Sequence, residues 1–90
     1  MSVKVSVLMS VYSEPENWLS LSIESILNQS FVDFEFIIIN DNPKRKLNSL
    51  ILAEFKLKDK RIIVINNEKN LGLTKSLNVG LKIAKGEYIA

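Results

Sequence analysis

The residues able to do chemistry in this chain cluster at a few short stretches, and two side-chain types are missing from all of them. With no histidine and no cysteine, imidazole catalysis, thiolate metal sites and disulfides are excluded. What remains is carboxylate, hydroxyl, amide, phenol and ammonium. Asp41 stands out, because Phe36-Ile37-Ile38-Ile39 runs straight into Asn40-Asp41-Asn42-Pro43. A carboxylate there can accept a charge-assisted hydrogen bond from a base imide or a ribose hydroxyl. Equally, Asp41 and Asn42 suit a helix cap or an Asx turn before Pro43. Tyr12 can stack on a base or close the core over the first strand. Lys75, in a helical first turn, opposes the helix dipole and would be eased by a phosphate or carboxylate partner; a solvated lysine is the plainer alternative. Asn70 and Gly72 suit a turn with positive φ.

The elements that must position these residues alternate. Val3 to Tyr12 is apolar and β-branched, a first strand. Ser13-Glu14-Pro15-Glu16 carries the signals of a helix start: Ser13 as cap, Glu16 completing a capping box, Pro15 in the first turn. Leu19, Ile23, Ile26 and Leu27 then follow at helical spacing to about Gln29, with Trp18 packing on this helix. Phe34 to Asn40 is a second strand, and its unbroken apolar centre predicts burial on both faces, as in the middle of a parallel sheet. Leu47, Leu50, Ile51 and Phe55 form the stripe of a second helix that ends near Asp59. Ile62 to Ile65 is a third strand. Leu73, Leu77, Gly80, Leu81 and Ala84 mark a third helix terminated by Gly86, and Glu87 to Ala90 begins a fourth strand. The order β-α-β-α-β-α-β predicts a Rossmann-like α/β fold: a parallel sheet with right-handed crossovers and helices on both faces. Ligands of such sheets bind outside the carboxyl ends of the strands, which is where Ser10, Tyr12, Glu14, Asp41, Asn70 and Lys75 fall.

Bulk properties narrow the function classes. Ninety residues make one domain at most, and 47% apolar with 24% charged residues is a globular composition. A net charge of +2 with scattered lysines does not argue for nucleic acid. Lys44-Arg45-Lys46 and Lys56 to Arg61 read as a solvated helix face and its exit loop. Met1-Ser2-Val3-Lys4 does not begin a signal peptide and no run is long enough to span a membrane, so a cytoplasmic location is the default expectation.

Missing motifs are as informative. No Gly-x-Gly-x-x-Gly follows the first strand, so a pyrophosphate has no backbone cradle there, which argues against a dinucleotide-binding dehydrogenase. No Gly-Lys-Ser/Thr marks a P-loop. The first strand ends without an acidic pair, and the third ends in Asn66-Asn67, which removes the main residues of a phosphoacceptor receiver domain.

Taken together, "VSVLMSVYSEPENWLSLSIESILNQSFVDFEFIIINDNP" and "NEKNLGLTKSLNVGLKIAKGEYIA" resemble the opening of the inverting family 2 nucleotide-sugar glycosyltransferases. The first stretch is similar to the family's opening strand, Tyr-bearing loop, Ser-Ile-x-Ser-Ile-Leu-x-Gln helix and Phe-x-Asp-Phe-Glu lead into strand two. The second is similar to its Asn-x-Gly-x-x-x-x-x-Asn-x-Gly block and Gly-Glu-Tyr-Ile strand. The resemblance implies the N-terminal half of a glycosyltransferase A-type fold, and residues 1–90 as one partial, nucleotide-binding domain. It implies that Asp41 accepts from the N3–H of uracil. It also implies that Ser10, Tyr12 and Glu14 frame base and ribose, and that Asn70 and Lys75 meet base or phosphates. One departure is local: the family often has Asp-Asp-Gly-Ser where this chain has Asn40-Asp41-Asn42-Pro43, which touches the loop conformation but keeps the second acid.

The resemblance further implies a divalent metal, Mn or Mg, held by an Asp-x-Asp motif shortly after Gly-Glu-Tyr-Ile-Ala, and a general base beyond it. Both follow Ala90, so the 90 residues are expected to bind no metal, to carry no catalytic residue and to be inactive alone. The whole protein is then expected to move a sugar from a nucleotide-sugar, a UDP-sugar foremost, to a saccharide or lipid-linked acceptor hydroxyl with inversion. Polysaccharide assembly at the inner face of the membrane is the family-level context. The alternative from another class is a small non-catalytic α/β module that binds a nucleotide or a partner. An uncovered sheet edge near Tyr88 to Ala90 also predicts self-association.

Overall fold

The computed structural model describes residues 3–90; Met1 and Ser2, which open the stretch read as lacking a signal peptide, lie outside the described residues. Seven elements follow in the expected order: β1 (Val5–Val11), α1 (Glu16–Leu27), β2 (Phe34–Asn40), α2 (Lys46–Lys58), β3 (Ile62–Asn66), α3 (Leu73–Ile83) and β4 (Tyr88–Ile89). The strands form one sheet in the order β3-β2-β1-β4, every pairing parallel. The chain steps outward from β1 to β3 and then crosses back over to the far side of β1.

That path sets the layers. Every residue of β2 is buried, because β2 is flanked by strands on both edges and by helices on both faces. Phe36 and Ile38 pack with Leu19 and Ile23 of α1 and with Ile51, Leu52 and Phe55 of α2. Ile39 and Leu8 face the other way, and there Gly80 lets α3 lie directly on the sheet: a Cβ at that position would stand 3.0 Å from Ile39 Cδ1 and 3.1 Å from Leu8 Cδ2. Two helices therefore cover one face and one covers the other.

Several local expectations are corrected. Ser13 does not cap α1; Pro15 occupies the cap position with ψ 144° and no side-chain cap bond forms. Leu50 is 68% exposed and Leu52 is buried in its place, since at 3.6 residues per turn Leu50 points about 160° away from buried Asn48. Leu73 and Leu81 are exposed, while Ser76 and Gly80 form the buried line of α3. Trp18 is likewise mostly exposed.

Gly86 does not end α3 through a left-handed cap. Among the described residues only Gly72 has positive φ, at 90°, and Asn70 does not. Gly86 is needed because the chain passes so near β1 that a Cβ would lie 2.6 Å from the Val5 carbonyl carbon. There the Gly86 N–H donates to Ser6 Oγ at 2.8 Å, and Ser6 and the Lys85 N–H both donate to Glu35, each at 2.6 Å. Arg61 is not solvated either. Its guanidinium donates to Asp59 and to the Leu27 and Val32 carbonyls, and lies 4.3 Å from the Phe34 ring centre. Both clusters fasten the amino end of the sheet, leaving the carboxyl end to its loops.

Candidate functional site

The ladder outlasts the strands by one residue. The Asp41 N–H donates to the Val11 carbonyl at 2.8 Å and the Asn67 N–H to the Asn40 carbonyl at 3.0 Å. The loops after β1, β2 and β3 therefore leave the sheet side by side. Between them lies an open cleft of about 420 Å³ lined by Ser10, Tyr12, Glu14, Asp41, Asn70, Gly72 and Leu73. Five of the six nominated side chains thus meet. Lys75 is exposed on the first turn of α3 and does not line this cleft. A smaller cleft of about 200 Å³ between α2 and β3 contains no carboxylate.

Asp41 is only 2% exposed and neither caps α2 nor makes the Asx turn. Arg45 holds the cap position without a side-chain bond. The Asx turn belongs to Asn40, whose Oδ1 accepts the Asn42 N–H at 3.1 Å. The Asp41 carboxylate accepts instead from the β3–α3 loop. Oδ1 takes Asn67 Nδ2 at 2.8 Å and the Leu71 N–H at 2.7 Å; Oδ2 takes Asn70 Nδ2 at 2.8 Å and the Gly72 N–H at 2.9 Å. Burial pushes its pKa up, but the donors from Leu71, Asn67, Gly72 and Ser76 outweigh that and hold it below the ordinary 3.8. The cleft is therefore floored by a fixed anion.

The Tyr12 backbone is held from both sides. Its N–H donates to Glu14 Oε1 at 2.8 Å and its carbonyl accepts from Asn48 Nδ2 at 2.9 Å. Val11 is buried in the core while the Tyr12 ring is 48% exposed, which removes the core-closing alternative and leaves a ring face free at the cleft.

Behind the rim runs an amide network absent from the sequence-based nominations. Asn48, fully buried on α2, also donates to Asn40 Oδ1 at 3.1 Å and accepts from Arg45 Nη1 at 3.0 Å; Asn40 Nδ2 in turn donates to Asn66 Oδ1 at 3.1 Å. Asn67 reaches Ser76 Oγ at 3.0 Å as well as Asp41. A signal for Asn48 was present: it stands three, four and seven residues before Ile51, Leu52 and Phe55, an amide in the middle of an apolar stripe.

Residues 6–90 match the family described as Glycosyl transferase family 2. The chain belongs to that family. Among its relatives, an uncharacterised glycosyltransferase of Methanocaldococcus jannaschii is 55% identical over 86 residues, which are 96% of this chain and 30% of the relative. The glycosyltransferase GlyG of Streptococcus pneumoniae is 32% identical, across 99% of this chain and 29% of its own. A mannosyltransferase from Pyrobaculum calidifontis, solved with GDP-Man and Mn2+, superposes with TM-score 0.84 at 16% identity over 99% of this chain and 26% of that one. Staphylococcus aureus TarS superposes with TM-score 0.76 at 27% identity over 96% and 26%. The fold is accordingly that of family 2 glycosyltransferases, and the chain spans about a third or less of these proteins' lengths.

No three His, Cys, Asp or Glu side chains cluster to hold a metal among the described residues. The described residues thus offer no ligand set for the divalent ion that the family resemblance implies. No helix among the described residues is long and apolar enough to cross a membrane.

Proposed function

We propose that this chain is the nucleotide-binding part of a glycosyltransferase that moves a sugar from a nucleotide-sugar, a UDP-sugar foremost, to an acceptor hydroxyl with inversion. The observation that carries the reading is the convergence of Ser10, Tyr12, Glu14, Asp41 and Asn70 on one cleft at the carboxyl edge of a parallel sheet. Tyr12 offers an aromatic ring for a base, carried on a backbone held from both sides. Asp41 offers a carboxylate held ionised by its hydrogen bonds, a suitable acceptor for a ring N–H. Ser10 supplies a hydroxyl for base or ribose, Asn70 lines the cleft with its amide on the Asp41 carboxylate, and Glu14 keeps the Tyr12 loop in place. Lys75, exposed on the next helix, is assigned to the phosphates.

In this reading the metal, the general base and the acceptor site belong to parts of the protein beyond these residues, and the reaction takes place on the cytoplasmic side of a membrane. The mannosyltransferase solved with GDP-Man and Mn2+ supports a nucleotide-sugar donor and a divalent ion. The test is an NMR titration of the 15N-labelled protein with UDP, using ADP as the control. Shifts at Tyr12, Asp41, Asn70 and Gly72 with UDP alone are expected; equal silence toward both would remove the reading.

A further inference from the structure

This inference rests on the nucleotide-binding reading and concerns how the cleft selects a base. An ionised carboxylate offers about four lone-pair sites, and four donors from the β3–α3 loop already stand within 2.9 Å of the Asp41 oxygens. A base cannot reach it by simple addition; one donor must leave.

The four are not equally free to do so. Leu71 and Gly72 donate through the backbone, and the Gly72 N–H belongs to the residue whose positive φ leads into α3. Asn67 is buried and its amide is shared with Ser76, itself fully buried. Asn70 is exposed, lines the cleft, and uses a side chain that can rotate away without moving the backbone. Its orientation is settled by chemistry, because Nδ2 points at two acceptors, Asp41 Oδ2 at 2.8 Å and the Asp41 carbonyl at 3.3 Å. Reversing the amide would set oxygen against oxygen.

We infer that the Asn70 amide is a stand-in for the ligand's ring N–H, the one exchangeable donor on Asp41, so that binding is a swap of donors. A base carrying a ring N–H, as uracil does, replaces what Asn70 gives up. Cytosine has a bare N3 in that place. It would set a lone pair against the carboxylate and leave a buried acceptor short of its donor, which is costly. Asn70 thereby turns a sticky carboxylate into one that opens only for a matching group.

The experiment titrates the protein and its Asn70→Ala variant with uridine monophosphate and cytidine monophosphate. It follows the Asn70 side-chain NH2 resonances in the unsubstituted protein. The expected result is that these resonances move with uridine monophosphate and stay with cytidine monophosphate. Removing the internal competitor should tighten uridine monophosphate binding about fivefold, the size of one net hydrogen bond, and leave cytidine monophosphate weak. Weakening of both nucleotides in the variant would make Asn70 an ordinary contact and overturn the swap while sparing the proposed function. Uridine monophosphate binding with unmoved Asn70 resonances would overturn it too. Silence of both proteins toward both nucleotides would overturn swap and function together.

Discussion

Asn67 and Asp41, 26 residues apart in sequence, are joined at 2.8 Å beneath the cleft, and the same Asn67 amide nitrogen reaches Ser76 on α3 at 3.0 Å. This bond fastens β3's exit to β2's, and the Asp41 carboxylate is the hub on which the whole β3–α3 loop hangs. Asp41→Ala would leave four donors without their acceptor. We expect a loss of about 2–4 kcal/mol, since buried Asn67 and the half-buried Leu71 and Gly72 N–H groups would be left without their acceptor. Chemical denaturation should show it as a lower midpoint with little change in slope; an unchanged midpoint would show the loop to be held by other means.

Acid should reveal the same hub. Hydrogen bonding to Arg61 lowers the Asp59 pKa more than burial raises it, and Asp41 is also held below 3.8. A depressed folded pKa contributes stability that is complete above the unfolded value. That contribution is lost as pH falls through the folded value. Stability should therefore hold down to about pH 4 and fall below it, and Asp59→Asn should flatten part of that decline. A decline already complete at pH 5 would point to other groups.

The two loop glycines should fail for different reasons. Gly72 has open space around its α-carbon but φ of 90° and ψ of 165°, a region reserved for glycine, so Gly72→Ala should cost about 1–3 kcal/mol through strain. Gly86 has no such φ but sits against β1 backbone, so Gly86→Ala must push α3–β4 off the sheet. Amide exchange distinguishes them, with losses of protection centred on Leu71–Ser76 in the first variant and on Ser6 and Tyr88 in the second.

Asn48→Leu keeps the branched shape but removes two donated hydrogen bonds and one accepted one from behind Tyr12. We expect a stability loss of about 1–3 kcal/mol together with altered Tyr12 ring shifts. Unaltered Tyr12 shifts would show that Glu14 alone holds the loop.

β4 lies at one edge of the sheet, and Tyr88 and Ile89 are 61% and 50% exposed. An unprotected edge beside apolar side chains favours pairing, so this chain should sediment as larger species when concentrated. Ile89→Lys should suppress that; monomer behaviour across the full range would contradict it.

Element order, the parallel sheet and the central place of β2 were legible in the sequence, because they follow from apolar periodicity and from Gly, Pro and Asn punctuation, which are local. Placing Asp41 at a carboxyl edge required nothing more than counting from the end of a buried run. Whether that carboxylate turned the chain or faced a cleft could not be counted, since its donors come from residues 26 to 31 positions later. The same holds for Asn48 reaching Tyr12 across 36 residues and Gly86 reaching Ser6 across 80. Periodicity says which face of an element is buried. Which polar groups meet there depends on strand order and crossover direction, so the tertiary structure alone decided that a short Asx-rich turn became the anchored floor of a cleft.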